Sequence, residues 1–306
     1  MIYKKNIIAM SLTTFSMLSS FSLLQWFANP NMQAAGVLFV FGLAMGSFLN
    51  VLVYRLPLML EQAWLAECAE VAGTSAGTQP ALTLSAPSSH CPACGHTLRA
   101  WELIPVASFL WLRGRCAACH AKISFRYPAV ELACGAGFAL VGWFTGFHAL
   151  AIAQLAFLYI LMALTLIDLD TQLLPDVLTQ LLLWLGLSAN LFGLFVPLAD
   201  AVVGAMAGYV AMWGIAAAFR ACTGMDGLGQ GDFKLVAAMS AWLGWTALPM
   251  IIMFGATASA IVGVSLISLR KVDRGTPQPF GPYLILAGGT AWLWGPQIIS
   301  WYLGFL

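Results

Sequence analysis

Long apolar runs separated by short polar breaks dominate the chain. All but one of the runs are close to the roughly 20 residues that one helical crossing of a hydrocarbon layer requires. They predict eight transmembrane helices, at residues 35–53, 130–147, 150–167, 177–196, 199–219, 235–245, 248–269 and 283–303. The run at 235–245 is the shortest and has the least marked ends. One long polar stretch, 55–127, interrupts the series. Its part at 73–89 is rich in Ser, Thr, Gly and Pro and predicts a flexible loop, and a Cys-rich part follows at 91–119. Residues 6–27 form a further apolar, Ser/Thr-rich run behind Lys4 and Lys5. It resembles a signal peptide without a small-residue cleavage site. A ninth span, an interfacial helix, or an extension upstream of a start at Met10 or Met17 all fit it.

Composition agrees with the pattern. Hydrophobic residues make up 61% of the 306 and charged residues 8%, against about 25% charged in a soluble domain. A soluble globule of this composition would expose large apolar patches, so that class is excluded. The expected fold is an all-α polytopic membrane protein. Its divisions are an N-terminal segment (1–34), a first membrane helix (35–54), a cytoplasmic loop domain (55–128) and a seven-helix membrane core (129–306). The net charge of +1 says nothing about nucleic acid, and what matters is where the few charges sit; the expected surrounding partner is lipid, and no nucleic-acid partner is expected. The loop 55–127 holds six of the thirteen Lys and Arg residues: Arg55, Arg99, Arg113, Arg115, Lys122 and Arg126. Placing it in the cytoplasm, by the positive-inside rule, also puts Arg220, Lys234, Arg270, Lys271 and Arg274 there. The opposite loops, around His148, 197–200 and 246–247, carry no Lys or Arg.

Four of the seven cysteines form two CxxC pairs, Cys91/Cys94 and Cys116/Cys119, separated by 21 residues. Two such knuckles at this separation are a four-thiolate zinc pattern. A closed set of four leaves no open ligand position, so the expected zinc is structural. Two unrelated thiol pairs or a redox site are the plainer alternatives. His90, His96 and His120 lie beside the cysteines as substitute ligands or solvated loop residues. Cys68, Cys134 and Cys222 have no partner at useful spacing and read as small apolar side chains.

Carboxylates at membrane boundaries are costly and point to function. Asp168, Asp170 and Asp176 lie where the third span emerges, and Asp232 where the sixth begins, all on the cytoplasmic side of this threading. Pro175 stops the helix after the first group, and Gly229 and Gly231 flank the approach to Asp232. Two carboxylates from different helices can share one proton, one acting as general base on a water and the other as general acid. Asp170 and Asp176 also fit ordinary helix-end roles, and a proton-coupled transporter would use the same residue types.

These blocks together resemble the type IV prepilin peptidases. The matching segments are Gly46-Ser47-Phe48-Leu49-Asn50-Val51 with Arg55-Leu56-Pro57; residues 91–135, with Trp101-Glu102, Ile104-Pro105, Arg113-Gly114-Arg115-Cys116 and Arg126-Tyr127-Pro128; residues 167–176; the GxGD block Gly229-Gln230-Gly231-Asp232-Phe233-Lys234; and Pro279-Phe280-Gly281-Pro282-Tyr283. The resemblance covers about residues 21–300 and leaves 1–20 outside. Leu103 stands where many relatives have Asn. The resemblance implies a bacterial inner-membrane aspartic protease with Asp168 and Asp232 as catalytic pair and the four cysteines as metal ligands. It implies prepilin and pseudopilin substrates cut after a glycine, with the new N-terminus methylated from S-adenosylmethionine. The sequence has no Rossmann-type GxGxxG, so the donor site is sought in the zinc loop, with Gly114 as a backbone approach to the donor's carboxylate.

Two other classes remain open on the residues alone. A proton-coupled transporter with a zinc module is one, but both aspartates lie near one face, away from the midplane where transporter sites sit. A non-enzymatic zinc-bearing assembly factor is the other.

Overall fold

The computed structural model describes residues 29–73, 82–225, 227–269 and 278–303. The run at 6–27 and the basic residues Arg270, Lys271 and Arg274 lie outside these. The described residues are helical apart from loops, with two isolated β-bridges. We number the helices α1 (Pro30–Val71), α2 (Ala107–Trp111), α3 (Arg126–Thr145), α4 (Ala149–Thr171), α5 (Asp176–Leu191), α6 (Leu198–Thr223), α7 (Gln230–Leu243), α8 (Leu248–Ser268) and α9 (Gly281–Leu303). Each of the eight expected apolar stretches contains a helix. Five segments are long and apolar enough to cross a membrane: α1, α3, α4, α6 and the stretch Trp245–Ser268 that contains α8. The chain forms two compact units, Met1–Ser47 with Arg99–Ile152, and Phe48–Leu98 with Ala153–Leu306.

In the first unit, the start of α1 and α3 run antiparallel at very close approach. A Cβ on Gly42 would stand 2.8 Å from Gly135 Cα, one on Gly46 2.7 Å from Glu131 Cα, and one on Gly142 2.8 Å from the Ala34 carbonyl carbon. Gly42 and Gly46 are four apart, the small-residue spacing that lets membrane helices touch backbone to backbone.

In the second unit, α7 is the central helix. Leu235, Val236, Ala238, Met239, Ser240 and Ala241 are fully buried, and α5, α6, α8 and α9 pack around them. A helix apolar on all sides belongs inside a bundle. At 14 residues, α7 is about 21 Å long, short of a ~30 Å hydrocarbon layer, and the bundle makes that length sufficient. Its far end is fixed by polar contacts. Trp242 Nε1 donates to Leu182 O at 2.7 Å. Asn190 Nδ2 donates to Ala241 O and Trp242 O, and Asn190 Oδ1 accepts from Phe195 N and Val196 N. Those last two bonds turn the chain after Leu191, so α5 is shorter than the apolar run at 177–196 that announced it.

α1 departs most from expectation. The apolar run ends near Arg55, yet the helix, 42 residues in all, continues through Pro57 to Val71. Residues 58–71 are polar enough to leave the hydrocarbon but rich in Leu, Ala and Glu, strong helix formers that carry the helix past one proline. Arg55 is buried, and its guanidinium donates to Thr83 O at 2.9 Å and Pro87 O at 2.6 Å. The part of the expected flexible loop at 82–89 is therefore tied to α1; residues 74–81 lie outside the described set.

Candidate active site and metal cluster

Asp168 is in the last turn of α4, and Asp232 in the first turn of α7. Both are buried, at 4% and 8% exposure, whereas Asp170 and Asp176 are exposed. Asp232 is near enough to Asp168 for the two carboxylates to act on each other electrostatically. The sequence orients each one locally. Gly229 is the N-cap of α7 and Asp232 its third residue, so the Asp232 carboxylate reaches back to the Gly229 N–H, as in a capping box. Asp168 Oδ2 accepts the backbone N–H of Gly281 at 2.9 Å, at the start of α9. After Asp168 the chain turns sharply: Gln172 takes φ of 55° and its N–H donates to Asp168 O at 2.9 Å.

Leu174 joins these parts. A Cβ on Gly231 would meet Leu174 Cβ at 2.9 Å, and one on Gly281 would meet Leu174 Cδ2 at 3.3 Å and Asp168 Oδ2 at 2.7 Å. The glycines are required because two backbones close on one leucine and one carboxylate. Lys234 Nζ of α7 bridges to Asp176 Oδ1 and Oδ2 at the start of α5, at 2.7 and 2.6 Å, on the exposed side of the site. The N-termini of α5, α7 and α9 thus converge near the carboxylate pair, where their partial positive ends favour negative charge. Two buried acids on separate helices, each oriented by a backbone N–H, can activate a water and protonate a leaving group.

The four sequence-selected cysteines come together. Their sulfur atoms all lie within 4.8 Å of one another. The two knuckles share one backbone design. Cys91 N–H donates to His96 O and Gly95 N–H to Cys91 O; Cys116 N–H donates to Ala121 O and His120 N–H to Cys116 O. A short β-bridge closes each, His90 with Thr97 and Arg115 with Lys122. Gly95 and His120 occupy the same left-handed turn position, at φ of 71° and 57°. Four thiols converging from two rigid turns fit a tetrahedral thiophilic metal such as zinc. His120 serves the turn, and His90 Nδ1 pairs with Ser88 O. Gly114 turns the chain at φ of 67°. Its N–H donates to Phe109 O, its carbonyl accepts from Ile123, and a Cβ there would meet the Phe109 ring at 3.0 Å.

Two groups escaped the sequence reading. Gly281 was part of a matching motif but had no assigned task. Glu131 is a buried acid six residues into α3, and an acid inside an apolar run was a signal in itself. Its Oε2 accepts the Val106 N–H at 2.7 Å, and Ser47 donates to the same carboxylate.

Comparison with known proteins covers most of the chain. Residues 40–145 match the model of the bacterial peptidase A24 N-terminal domain, and residues 155–264 that of the type IV leader peptidase family. A protein of Stutzerimonas stutzeri named prepilin leader peptidase/N-methyltransferase is 49% identical over 87% of this chain and 92% of its own length. Its namesake in Pseudomonas aeruginosa is 48% identical over 92% and 98%, and that of Burkholderia pseudomallei 45% over 87% of each. No solved structure gives a significant match.

Proposed function

The chain belongs to the type IV leader peptidase family, and from that premise we propose that it is a two-carboxylate membrane protease that also methylates its product. It is a multi-pass protein of the bacterial inner membrane. It cleaves the leader from prepilins, and by the same chemistry pseudopilins, after a glycine at the cytoplasmic face, serving pilus assembly, type II secretion or both. Asp168 and Asp232 are the catalytic pair. The carboxylate of one takes a proton from water, the water oxygen attacks the peptide carbonyl carbon, and the carboxylic acid of the other protonates the departing amine. Gly281 and Gly229 hold the two carboxylates by N–H bonds, and burial keeps bulk water away.

Residues 129–306 form the peptidase core, and residues 55–128 the metal loop. Cys91, Cys94, Cys116 and Cys119 hold a structural zinc that gives this loop its shape. S-adenosylmethionine supplies the methyl group at the new N-terminus. The loop around Gly114 is the candidate place for this donor. The Gly114 N–H is already engaged, so this residue would shape the turn rather than bind the carboxylate through its own amide.

The single observation that carries the reading is the buried Asp168/Asp232 pair in a chain nearly half identical to named leader peptidases. The test is to purify the chain in detergent, add a prepilin, and weigh the product. A shortened, N-methylated pilin is expected. Asp168→Asn and Asp232→Asn should each abolish cleavage, the double variant should be little worse than either, and Asp170→Asn should retain most activity. Asp168→Asn protein that accumulates normally and still cleaves would defeat the assignment.

A further inference from the structure

The metal loop carries an apolar segment that it does not bury. In residues 101–111, Trp101, Leu103, Ile104, Leu110 and Trp111 are exposed, Trp111 at 81% and Leu110 at 69%. The acid of this segment, Glu102, is turned inward, and its carboxylate accepts the Arg99 N–H at 2.6 Å. The outward face is therefore without charge, and exposed Arg99 and Arg113 flank it in sequence. Trp101 and Trp111 stand together, ring centroids 6.5 Å apart. In water such a face would be an aggregation site.

The bond between Val106 and Glu131 fixes the height of this segment. α3 has 20 residues, so it is about 30 Å long and uses its whole length to cross a hydrocarbon layer of that thickness. Glu131 is its sixth residue, about 8 Å below the start at Arg126. It is walled in by Gly46 and Ser47 of α1, itself a spanning helix. The Val106 N–H donates to this submerged carboxylate at 2.7 Å. Val106 takes φ of 58°, a position foreign to a β-branched residue, and the bond to Glu131 holds it there. Residues on both sides of Val106 are thus kept beside the first turns of α3. The neighbouring ends share the pattern: Phe125 and Tyr127 at the mouth of α3 are 70% and 53% exposed.

We propose that residues 101–111 are a lipid anchor, a short segment of the metal loop that enters the headgroup boundary of the bilayer α3 crosses. Leu103, Ile104, Leu110 and Trp111 meet acyl chains, the Trp101/Trp111 pair takes the interfacial level that tryptophan favours, and Arg99 and Arg113 lie among the headgroups. Glu131 is the tether that sets the depth. The occupant is the protein's own bilayer, because the hydrogen bond places this face level with a membrane-spanning helix. The inference is independent of the roles given to Asp168 and Asp232.

Collision accessibility of a spin label tests it. p-Acetylphenylalanine is placed at Leu103, Leu110 or Trp111 of the full chain and coupled to a hydroxylamine nitroxide, so that no cysteine is used. The protein is reconstituted into vesicles of phosphatidylethanolamine and phosphatidylglycerol. Phe144, 77% exposed on α3, supplies the lipid reference, and exposed Lys122 the aqueous one. Unchanged metal content and a single elution peak select folded protein. Labels at 103, 110 and 111 are expected to collide with oxygen over an aqueous nickel chelate several-fold more than at Lys122, approaching Phe144. Nickel accessibility equal to that at Lys122 would overturn the proposal, because the face would then be in water. Low accessibility to both reagents would overturn it too, because protein would then cover the face.

Discussion

The backbone N–H of Gly281 holds Asp168 Oδ2 at 2.9 Å, across 113 positions of sequence. The start of α9 is thereby part of the carboxylate's surroundings. An alanine at 281 would put its Cβ 2.7 Å from that oxygen and 3.3 Å from Leu174 Cδ2. Gly281→Ala is therefore expected to slow prepilin cleavage at least tenfold, about 1.4 kcal/mol in the barrier, while the protein accumulates normally. A cleavage time course in isolated membranes decides it, and wild-type rates would remove Gly281 from the site.

The Lys234–Asp176 pair is short but exposed, with side chains at 28% and 64%. Exposed pairs contribute roughly 0–1 kcal/mol. Lys234→Met and Asp176→Asn should each shift stability by less than about 1 kcal/mol, and a double-mutant cycle in detergent should give a coupling of the same size. A coupling several times larger would mean that the pair holds α5 and α7 together.

Asn190 has the opposite character. It is 2% exposed and makes four hydrogen bonds at the end of α7 remote from Asp232. Asn190→Ala orphans two carbonyls and two N–H groups, and should cost roughly 2–4 kcal/mol. Thermal unfolding in detergent should show the loss, and the surviving folded fraction should cleave at the wild-type rate.

The metal loop predicts a dependence on thiolates. Cys91→Ser or Cys119→Ser should lower bound zinc in purified protein and raise protease sensitivity of the loop, since ligand loss unravels a metal-shaped turn. Elemental analysis of wild type that finds no metal would refute the site.

Charge placement predicts orientation. A reporter fused near Gly77 should behave as cytoplasmic and one at Leu306 as periplasmic. The reverse would turn the whole threading over.

Much of this was legible in the sequence, for identifiable reasons. Membrane helices announce themselves by composition, and CxxC knuckles are local, so the positions of Cys91 and Cys116 needed no tertiary knowledge. Asp168 and Asp232 stood out because acids at apolar boundaries are rare. What stayed hidden was long-range or off-pattern. No local signal links Gly281 to Asp168 or Val106 to Glu131. Hydropathy measures fitness for lipid rather than helicity, so it stopped α1 near Arg55 although good helix formers carry it to Val71.

The interior position of α7 has a consequence for how the chain is made. As it leaves the ribosome, this segment carries Asp232 and Lys234 near its start and has only 14 helical residues. Alone, it is a poor candidate for release into the bilayer by the insertion machinery, which reads each segment for length and apolarity. It must wait for α8, or enter already leaning on α6, and so the Asp168/Asp232 pair comes together only after neighbouring helices are in place. A chain cut short after Leu243 should hold one half of the carboxylate pair in a helix with no fixed place in the membrane. Because Asp168 takes its backbone donor from Gly281 at the start of α9, the surroundings of the carboxylate pair are complete only once that helix has been made as well.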